Sequence, residues 1–323
     1  HSNADGAQLI STGGSVAADD FEVTGSGALI RVAADAGATV TRRSVTGSNT
    51  FLTIGGGTQL TGGSITLDST AATALAPTAA LSAQSYAINS GRISLVLDQP
   101  GTLASSPGLV LTGPALTGLQ SGTSLSLTSY STLDLYGSGT VGRSGFARLA
   151  LNAGELRGMT AGGSAVKFSA QQMDIGNAAD APGSLAAPGT AGGSLTFDGS
   201  IIRLTDGEVA VNQFASVRLI AGGGVTGEGA GRFAAQSALE MQTPVLTGAA
   251  GSSRSIVAGG NLTVVEMAVY RMQASGVELL KPLLLWLHEP GRNLPPHVID
   301  KIVSAAESWI VRRQLLRLAG SDL

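Results

Sequence analysis

In the glycine-rich first part of this chain, the side chains best equipped for chemistry are carboxylates. Asp19 and Asp20 are adjacent; Asp68, Asp98, Asp134, Asp174, Asp198 and Asp206 follow singly. Two carboxyl groups about 5–10 Å apart across a sugar linkage can hydrolyse it, one as acid and the other as base or nucleophile. A row of these acids along one face would therefore point to a polysaccharide-cleaving enzyme. Isolated acids beside turns have a plainer use, bonding the backbone of the corner while staying solvated, and that reading is favoured here. No Ser-His-Asp arrangement is available in this part, whose one histidine is His1. Cysteine is absent, which removes disulfides, thiolate nucleophiles and thiolate zinc sites together. Gly222-Gly223-Gly224 has the composition of a phosphate-cradling loop, but strand-like rather than helical sequence follows, so it reads as a corner. His288 and His297 flank a turn, with Glu289 and Asp300 nearby. A metal needs more ligands at fixed geometry, so the turn reads as solvent-facing. Arg312, Arg313 and Arg317 are the candidate nucleic-acid contacts; equally, cations there complement the C-terminal end of a helix dipole. No catalytic residue, metal ligand or cofactor is assigned.

The elements that would carry these residues follow from composition and period. Of 323 residues, 46 are glycine, 43% are hydrophobic, 4% aromatic and only 13% charged. Ordinary soluble domains are about 25% charged. The apolar residues are abundant but small, which suits many thin layers of core better than one thick one. A net charge of −3 gives no electrostatic case for nucleic-acid binding by the chain as a whole. Ser64-Ile65-Thr66-Leu67-Asp68, Ser124-Leu125-Ser126-Leu127-Thr128 and Ser194-Leu195-Thr196-Phe197-Asp198 alternate polar and apolar residues, the period of a strand with one face inward. Breakers recur before such segments: Thr61-Gly62-Gly63-Ser64, Ala161-Gly162-Gly163-Ser164, Ala191-Gly192-Gly193-Ser194, Ala221-Gly222-Gly223-Gly224 and Ala258-Gly259-Gly260-Asn261. Val110-Leu111-Thr112-Gly113 and Val245-Leu246-Thr247-Gly248 echo one another as lead-ins to strands. Degenerate strand-and-turn repeats of this kind mark a solenoid. The expected fold is mainly β: a right-handed parallel β-helix over 5–263, followed by a short α-helical segment. At about 20 residues per coil and about 4.8 Å per rung, it would have roughly 13 coils and a length of about 60 Å. A β-sandwich or closed barrel is the competing fold, disfavoured by the small core residues and monotonous corners.

His1-Ser2-Asn3-Ala4 reads as a cloning remnant, with no signal peptide at the start, and the chain as a piece of a longer protein. No apolar run reaches the ~18 residues of a membrane helix. The character changes near residue 264, and 264–323 reads as a tail of two to three helices. Residues 276–288 hold Val277, Leu279, Leu280, Leu283, Leu284, Trp286 and Leu287; Pro290, Gly291, Asn293, Pro295 and Pro296 form a turn. A second helix is expected over about 296–318, with Ile299, Ile302, Val303, Ala306, Trp309, Ile310 and Leu316 in one apolar stripe and Gly320 as its C-cap. The stripe needs a partner surface, and the open end of a solenoid needs a cover.

Several runs of the first part resemble the filamentous haemagglutinin family of outer-membrane and secreted proteins. They are Gly27-Ala28-Leu29-Ile30-Arg31-Val32, Leu52-Thr53-Ile54-Gly55-Gly56-Gly57, Leu60-Thr61-Gly62-Gly63 with the strand after it, Leu81-Ser82-Ala83-Gln84-Ser85-Tyr86-Ala87-Ile88-Asn89, Ser129-Tyr130-Ser131-Thr132-Leu133-Asp134-Leu135-Tyr136-Gly137-Ser138-Gly139 and Phe214-Ala215-Ser216-Val217. The resemblance covers about 5–263. It implies a secreted or cell-surface β-helical filament, exported by a partner transporter in the outer membrane, that binds a host-cell or matrix receptor or a glycan through an extended surface. The family's N-terminal secretion domain has no counterpart here, so the chain alone is not expected to export itself. In the tail, Pro282-Leu283-Leu284-Leu285-Trp286-Leu287 and Glu307-Ser308-Trp309-Ile310-Val311-Arg312-Arg313 are similar to the helical part of GmrSD-group modification-dependent restriction endonucleases. That family's Asp-Gly-Gln-Gln-Arg signature and His-Asn-His module have no counterpart, so this resemblance implies a helical fragment without cutting machinery. The expected function is a structural or adhesive surface module rather than an enzyme; the alternative is a polysaccharide-active β-helix or an inactive nuclease remnant.

Overall fold

The computed structural model describes residues 7–12, 21–45, 49–98, 108–160, 162–187 and 192–265, with a few helical positions between 286 and 309. Ser64-Ile65-Thr66-Leu67-Asp68 lies in strand Ser64–Ser69, Ser124-Leu125-Ser126-Leu127-Thr128 in Ser124–Ser129, and Ser194-Leu195-Thr196-Phe197-Asp198 in Gly193–Leu204. Such strands stack as a parallel β-solenoid of about ten turns. The principal sheet runs through Ala7–Thr12, Ala28–Ala33, Ser64–Ser69, Ser85–Ser90, Ser124–Ser129, Arg148–Asn152, Ser164–Gly176, Gly193–Leu204, Ser216–Gly227, Ala238–Gln242 and Leu262–Val265. A second sheet faces it across the core: Leu109–Leu111, Ile93–Val96, Thr132–Tyr136, Glu155–Gly158, Gly207–Asn212, Ala230–Ala235 and Ser253–Ala258.

Parallel, in-register stacking sets like on like, because a residue and its partner one rung away point to the same side. One inward column reads Ile65, Tyr86, Leu125, Leu149, Met173, Ile202, Val225. The next inward column reads Leu67, Ile88, Leu127, Leu151, Ile175, Leu204. All of these side chains are buried. Phe168 and Phe197 stack in register with ring centroids 5.7 Å apart, and Phe233 of the second sheet meets Phe197 edge-on at 6.3 Å. Rings in these geometries add about 0.5–1.5 kcal/mol per pair beyond their burial. The column tolerates Tyr86 because its hydroxyl is satisfied within its own coil, accepting from the Ala83 amide at 2.8 Å.

The recurring Gly-Gly corners stack as well. Gly163 and Gly193 both have positive φ, +94° and +76°. A Cβ on Gly193 would lie 2.1 Å from the Ser164 carbonyl oxygen, and one on Gly163 would lie 2.3 Å from the Gly193 nitrogen. Only glycine supplies both the dihedral and the clearance.

Four expectations need correction. The coils number about ten rather than 13, because several are longer than 20 residues; at about 4.8 Å per rung the stack is roughly 48 Å long. One long coil holds an extra strand, Leu109–Leu111, and helix Gly113–Leu119 where Val110-Leu111-Thr112-Gly113 implied a strand. Pro114 lies in its first turn, where proline is tolerated, and Leu116 and Leu119 bury one side. Ala221-Gly222-Gly223-Gly224 is not a corner: strand Ser216–Gly227 runs through it, with the register slipping one residue against Gly193–Leu204 as at a β-bulge. Finally, the stack is not parallel throughout. Ala7–Thr12 and Ala28–Ala33 pair in parallel with each other, but Ala28–Ala33 is antiparallel to Ser64–Ser69.

In the tail, Trp286, Val298, Lys301, Ile302, Val303, Ala305, Ala306, Ser308 and Trp309 are helical, the short helical segment expected after the solenoid, whereas Val264 and Val265 still belong to strand Leu262–Val265. Val303 is buried and Trp309 is exposed. Among the described residues no helix is long and apolar enough to cross a membrane.

Candidate functional site

The structure sorts the candidate carboxylates into three environments. Asp68, Asp134 and Asp174 sit on the outward side of their strands yet are buried, each under arginine. Asp68 accepts from Arg42 Nε at 2.7 Å and from the Tyr130 hydroxyl at 2.7 Å, and Asn89 occupies the same position one rung on. Burial pushes its carboxyl above the ordinary value, with the Arg42 charge and the bonds from Tyr130, Arg42 and Asn89 opposing. The Tyr130 phenol is pushed up too, first by burial and then by the adjacent Asp68 charge.

Asp134 takes a two-point contact from Arg157, Nε to Oδ1 at 2.8 Å and Nη2 to Oδ2 at 2.9 Å, with Arg92 3.6 Å away on its other side. Asp134 and Arg157 are register partners, so the pair also fixes how two rungs align. Asp174 accepts from Arg148 at 2.7 Å and from Gln172 at 3.0 Å, with Arg203 3.7 Å away. Arg203 then grips Glu228 at 2.7 Å through Nε, and that bond holds the Glu228 carboxyl below its usual range.

Asp198 is half-buried against Lys167 at 2.6 Å. Asp98 and Asp206 are corner residues: Asp206 accepts the Ala230 amide at 3.0 Å, and a Cβ on Gly137 would lie 1.9 Å from Asp98 Oδ1. Asp19 and Asp20 lie outside the described residues, as do His288, Glu289, His297, Asp300, Arg312, Arg313 and Arg317.

Glycosidic chemistry needs two carboxyl groups open to one cleft. The side chains of Asp68 and Asp134 are 0% exposed and that of Asp174 is 5% exposed. These acids cannot touch a polysaccharide. What they do is hold rung to rung: Arg148–Asp174–Arg203–Glu228 crosses successive coils of the principal sheet, and Arg92–Asp134–Arg157 does the same on the second.

The surface that a partner could reach is built differently. The connection 178–187 between strands Ser164–Gly176 and Gly193–Leu204 runs along the outside of the second sheet and is tied down by buried amide side chains. Asn177 donates to the Ala181 and Glu208 carbonyls at 2.9 and 3.0 Å and accepts the Ala181 amide at 2.8 Å. Asn212 donates to the Ser184 carbonyl at 2.8 Å and accepts the Ala186 amide at 3.0 Å. Gln236 donates to the Ala187 carbonyl at 2.6 Å. Asn212 also bonds Glu155 at 2.7 Å, so the clamp continues into the arginine ladder. Between these anchors Asp180, Pro182, Gly183 and Ser184 face solvent. Elsewhere, an apolar groove of about 450 Å³ lies beside strands Phe51–Ile54, Ala72–Leu75 and Leu109–Leu111, with Phe51 65% exposed at its rim.

Sequence reading missed the clamp and the Asp68–Tyr130 bond. Asn177, Asn212 and Gln236 fall in no short motif: Asn212 and Gln236 stand at equivalent ends of the paired strands Gly207–Asn212 and Ala230–Ala235, and Asn177 belongs to the coil before them. No family model, no curated protein and no solved structure matches this chain.

Proposed function

We propose that this chain is a structural or adhesive module of a secreted or cell-surface filament of the filamentous haemagglutinin type. It binds a host-cell or matrix receptor, or a glycan, through extended outer surface, and it acts by binding rather than by catalysis. In this reading the solenoid is the shaft and an outer-membrane transporter delivers it. The observation that carries the proposal is the connection 178–187, held on the outside of the stack by Asn177, Asn212 and Gln236. An exposed loop fixed on a rigid scaffold is the usual form of a recognition surface, because its ordering entropy is already spent before the partner arrives.

The test is binding of the purified chain to arrayed glycans, immobilised matrix proteins and cultured cells, beside a variant whose residues 178–187 are replaced by a Gly-Ser segment of equal length. Loss of binding with an unchanged β circular-dichroism signal supports the proposal. Undiminished binding by the variant removes the loop from it. Release of shortened glycans, followed by mass spectrometry, would overturn the non-catalytic reading.

A further inference from the structure

Of the eight asparagines in the chain, only Asn261 is followed two residues later by a hydroxyl residue, Thr263, with no proline between. Asn-x-Ser/Thr is the acceptor pattern for N-linked sugars, and it can serve only where the asparagine is at the surface. The structure separates Asn261 from the other described asparagines on that point. Asn89, Asn177 and Asn212 are buried, and Asn152 is half-buried and accepts the Ala178 amide at 3.4 Å. Asn261 and Thr263 are both exposed, and neither side chain makes a hydrogen bond among the described residues.

The backbone presents the two side chains together. Asn261 leads into strand Leu262–Val265, which ends the principal sheet. The Asn261 carbonyl accepts the Leu239 amide at 2.9 Å, and the strand pairs in parallel with Ala238–Gln242. Thr263 continues the outward column Lys167, Thr196, Arg218 and Glu240, whereas Leu262 and Val264 continue inward columns through Leu239 and Met241. Residues two apart on extended chain project to one side, so the Asn261 amide and the Thr263 hydroxyl share the outer face. No strand pairs the other edge of Leu262–Val265 among the described residues. An enzyme can therefore approach an acceptor that is already extended.

We propose that Asn261 is an acceptor for an N-linked sugar, with Thr263 as its recognition partner. A carboxamide nitrogen is a weak nucleophile because its lone pair is shared with the carbonyl, so a glycosyltransferase must activate it. The Thr263 hydroxyl, both donor and acceptor, is the handle that such an enzyme grips. The donor is a glycosyl diphosphate. Asn261 Nδ2 bonds the anomeric carbon, the bond from that carbon to the diphosphate oxygen breaks, the diphosphate leaves with its electron pair, and a base of the transferase takes the Nδ2 proton. The sugar then stands as a bulky, solvated group beside the edge of the last described strand, where it obstructs edge-to-edge pairing. The inference rests on the surface-module reading only in that the chain must meet a transferase; its test reads mass at one residue and does not depend on receptor binding.

The chain is purified from the cells that naturally make it and digested with trypsin, which releases Asn261 within Ser255–Arg271. The expected result is that peptide heavier by one or more sugar residues, with fragmentation placing the addition on Asn261. A nucleotide-linked donor gives a ladder of single-sugar increments, and a lipid-linked donor gives one preassembled oligosaccharide. Asn261→Gln and Thr263→Ala, each made in the full chain with an unchanged β circular-dichroism signal, lose the addition, and Thr263→Ser keeps it. Asn49, exposed but with Phe51 two residues on, stays bare. An unmodified Ser255–Arg271 peptide would overturn the proposal. An addition that survives Thr263→Ala, or that is equally abundant on Asn49, would show modification by exposure alone and overturn it as well.

Discussion

At the N-terminal end of the stack, the strand Ala28–Ala33 lies antiparallel on Ser64–Ser69, and segment 21–45 is stapled across the junction. Arg42 reaches Asp68, Gly63 donates to the Ala33 carbonyl at 2.7 Å, Ser64 Oγ donates to the Asp35 carbonyl at 2.8 Å, and Thr50 and Thr70 hydroxyls meet at 2.7 Å. At the C-terminal end every described pairing is parallel, the ion pairs are more exposed, and inward columns stop at half-exposed residues. Near one end the described chain reverses direction and buries a charge network; at the other, inward columns of the described residues stop half-exposed. The difference shows that a solenoid's repeats settle its middle, where each rung is covered by the next, and leave its ends to separate devices.

The comparison can be broken most forcefully at the buried network. Asp68→Ala leaves the Arg42 guanidinium buried without its counter-ion, and the loss of a buried partner costs about 3–5 kcal/mol. Hydrogen exchange should show the protection of segment 21–45 collapsing while coils beyond residue 190 keep theirs. Global loss of protection would mean that the two ends unfold as one unit. Of similar size, Phe197→Ala removes the ring between Phe168 and Phe233 and is expected to cost about 3–5 kcal/mol. Its effect should spread to both sheets of the same coils, read as a lowered urea midpoint.

Acidification should act oppositely on the two ends. Asp68 is raised above 3.8, so its contribution to stability is full below that value and is lost as pH rises through its folded value. Glu228 is lowered below 4.5, so its contribution is full above that value and is lost as pH falls through its folded value. Going from pH 6 to pH 3, the Thr70 amide should gain protection relative to the Glu228 amide, after correction for intrinsic exchange. A parallel response of the two amides would contradict the assignment. The smallest effect belongs to Glu208→Ala, which breaks the exposed pair with Arg232 and should shift stability by no more than about 0.5 kcal/mol, vanishing in high salt.

Much of this architecture is legible in the amino-acid order. The alternation of Ser64–Ser69 and Ser124–Ser129 dictates strands with one apolar face, and the recurring Gly-Gly pairs dictate corners, because a two-residue period and a positive φ are local properties. Helix Gly113–Leu119 was hidden by its brevity, since about two turns give no sustained period. The bulge at Gly222-Gly223 was hidden because a glycine run in a strand and one in a corner look alike until the neighbouring rung fixes the register.

The candidate acids show the same division. Their identities and spacing admitted a row of catalytic carboxylates, yet Asp68, Asp134 and Asp174 lie within strands under arginines from adjacent coils, whereas Asp98 and Asp206 lie at corners. Sequence by itself determined that the chain forms small-residue strands with glycine corners and carries no thiol chemistry. Only the tertiary structure decided which acids are buried, that Tyr130 closes on Asp68, that Asn177, Asn212 and Gln236 clamp one loop, and that the first strands run against the rest. Those contacts join residues a coil or more apart, and the lengths of the intervening coils, which vary with every loop, set which side chains meet.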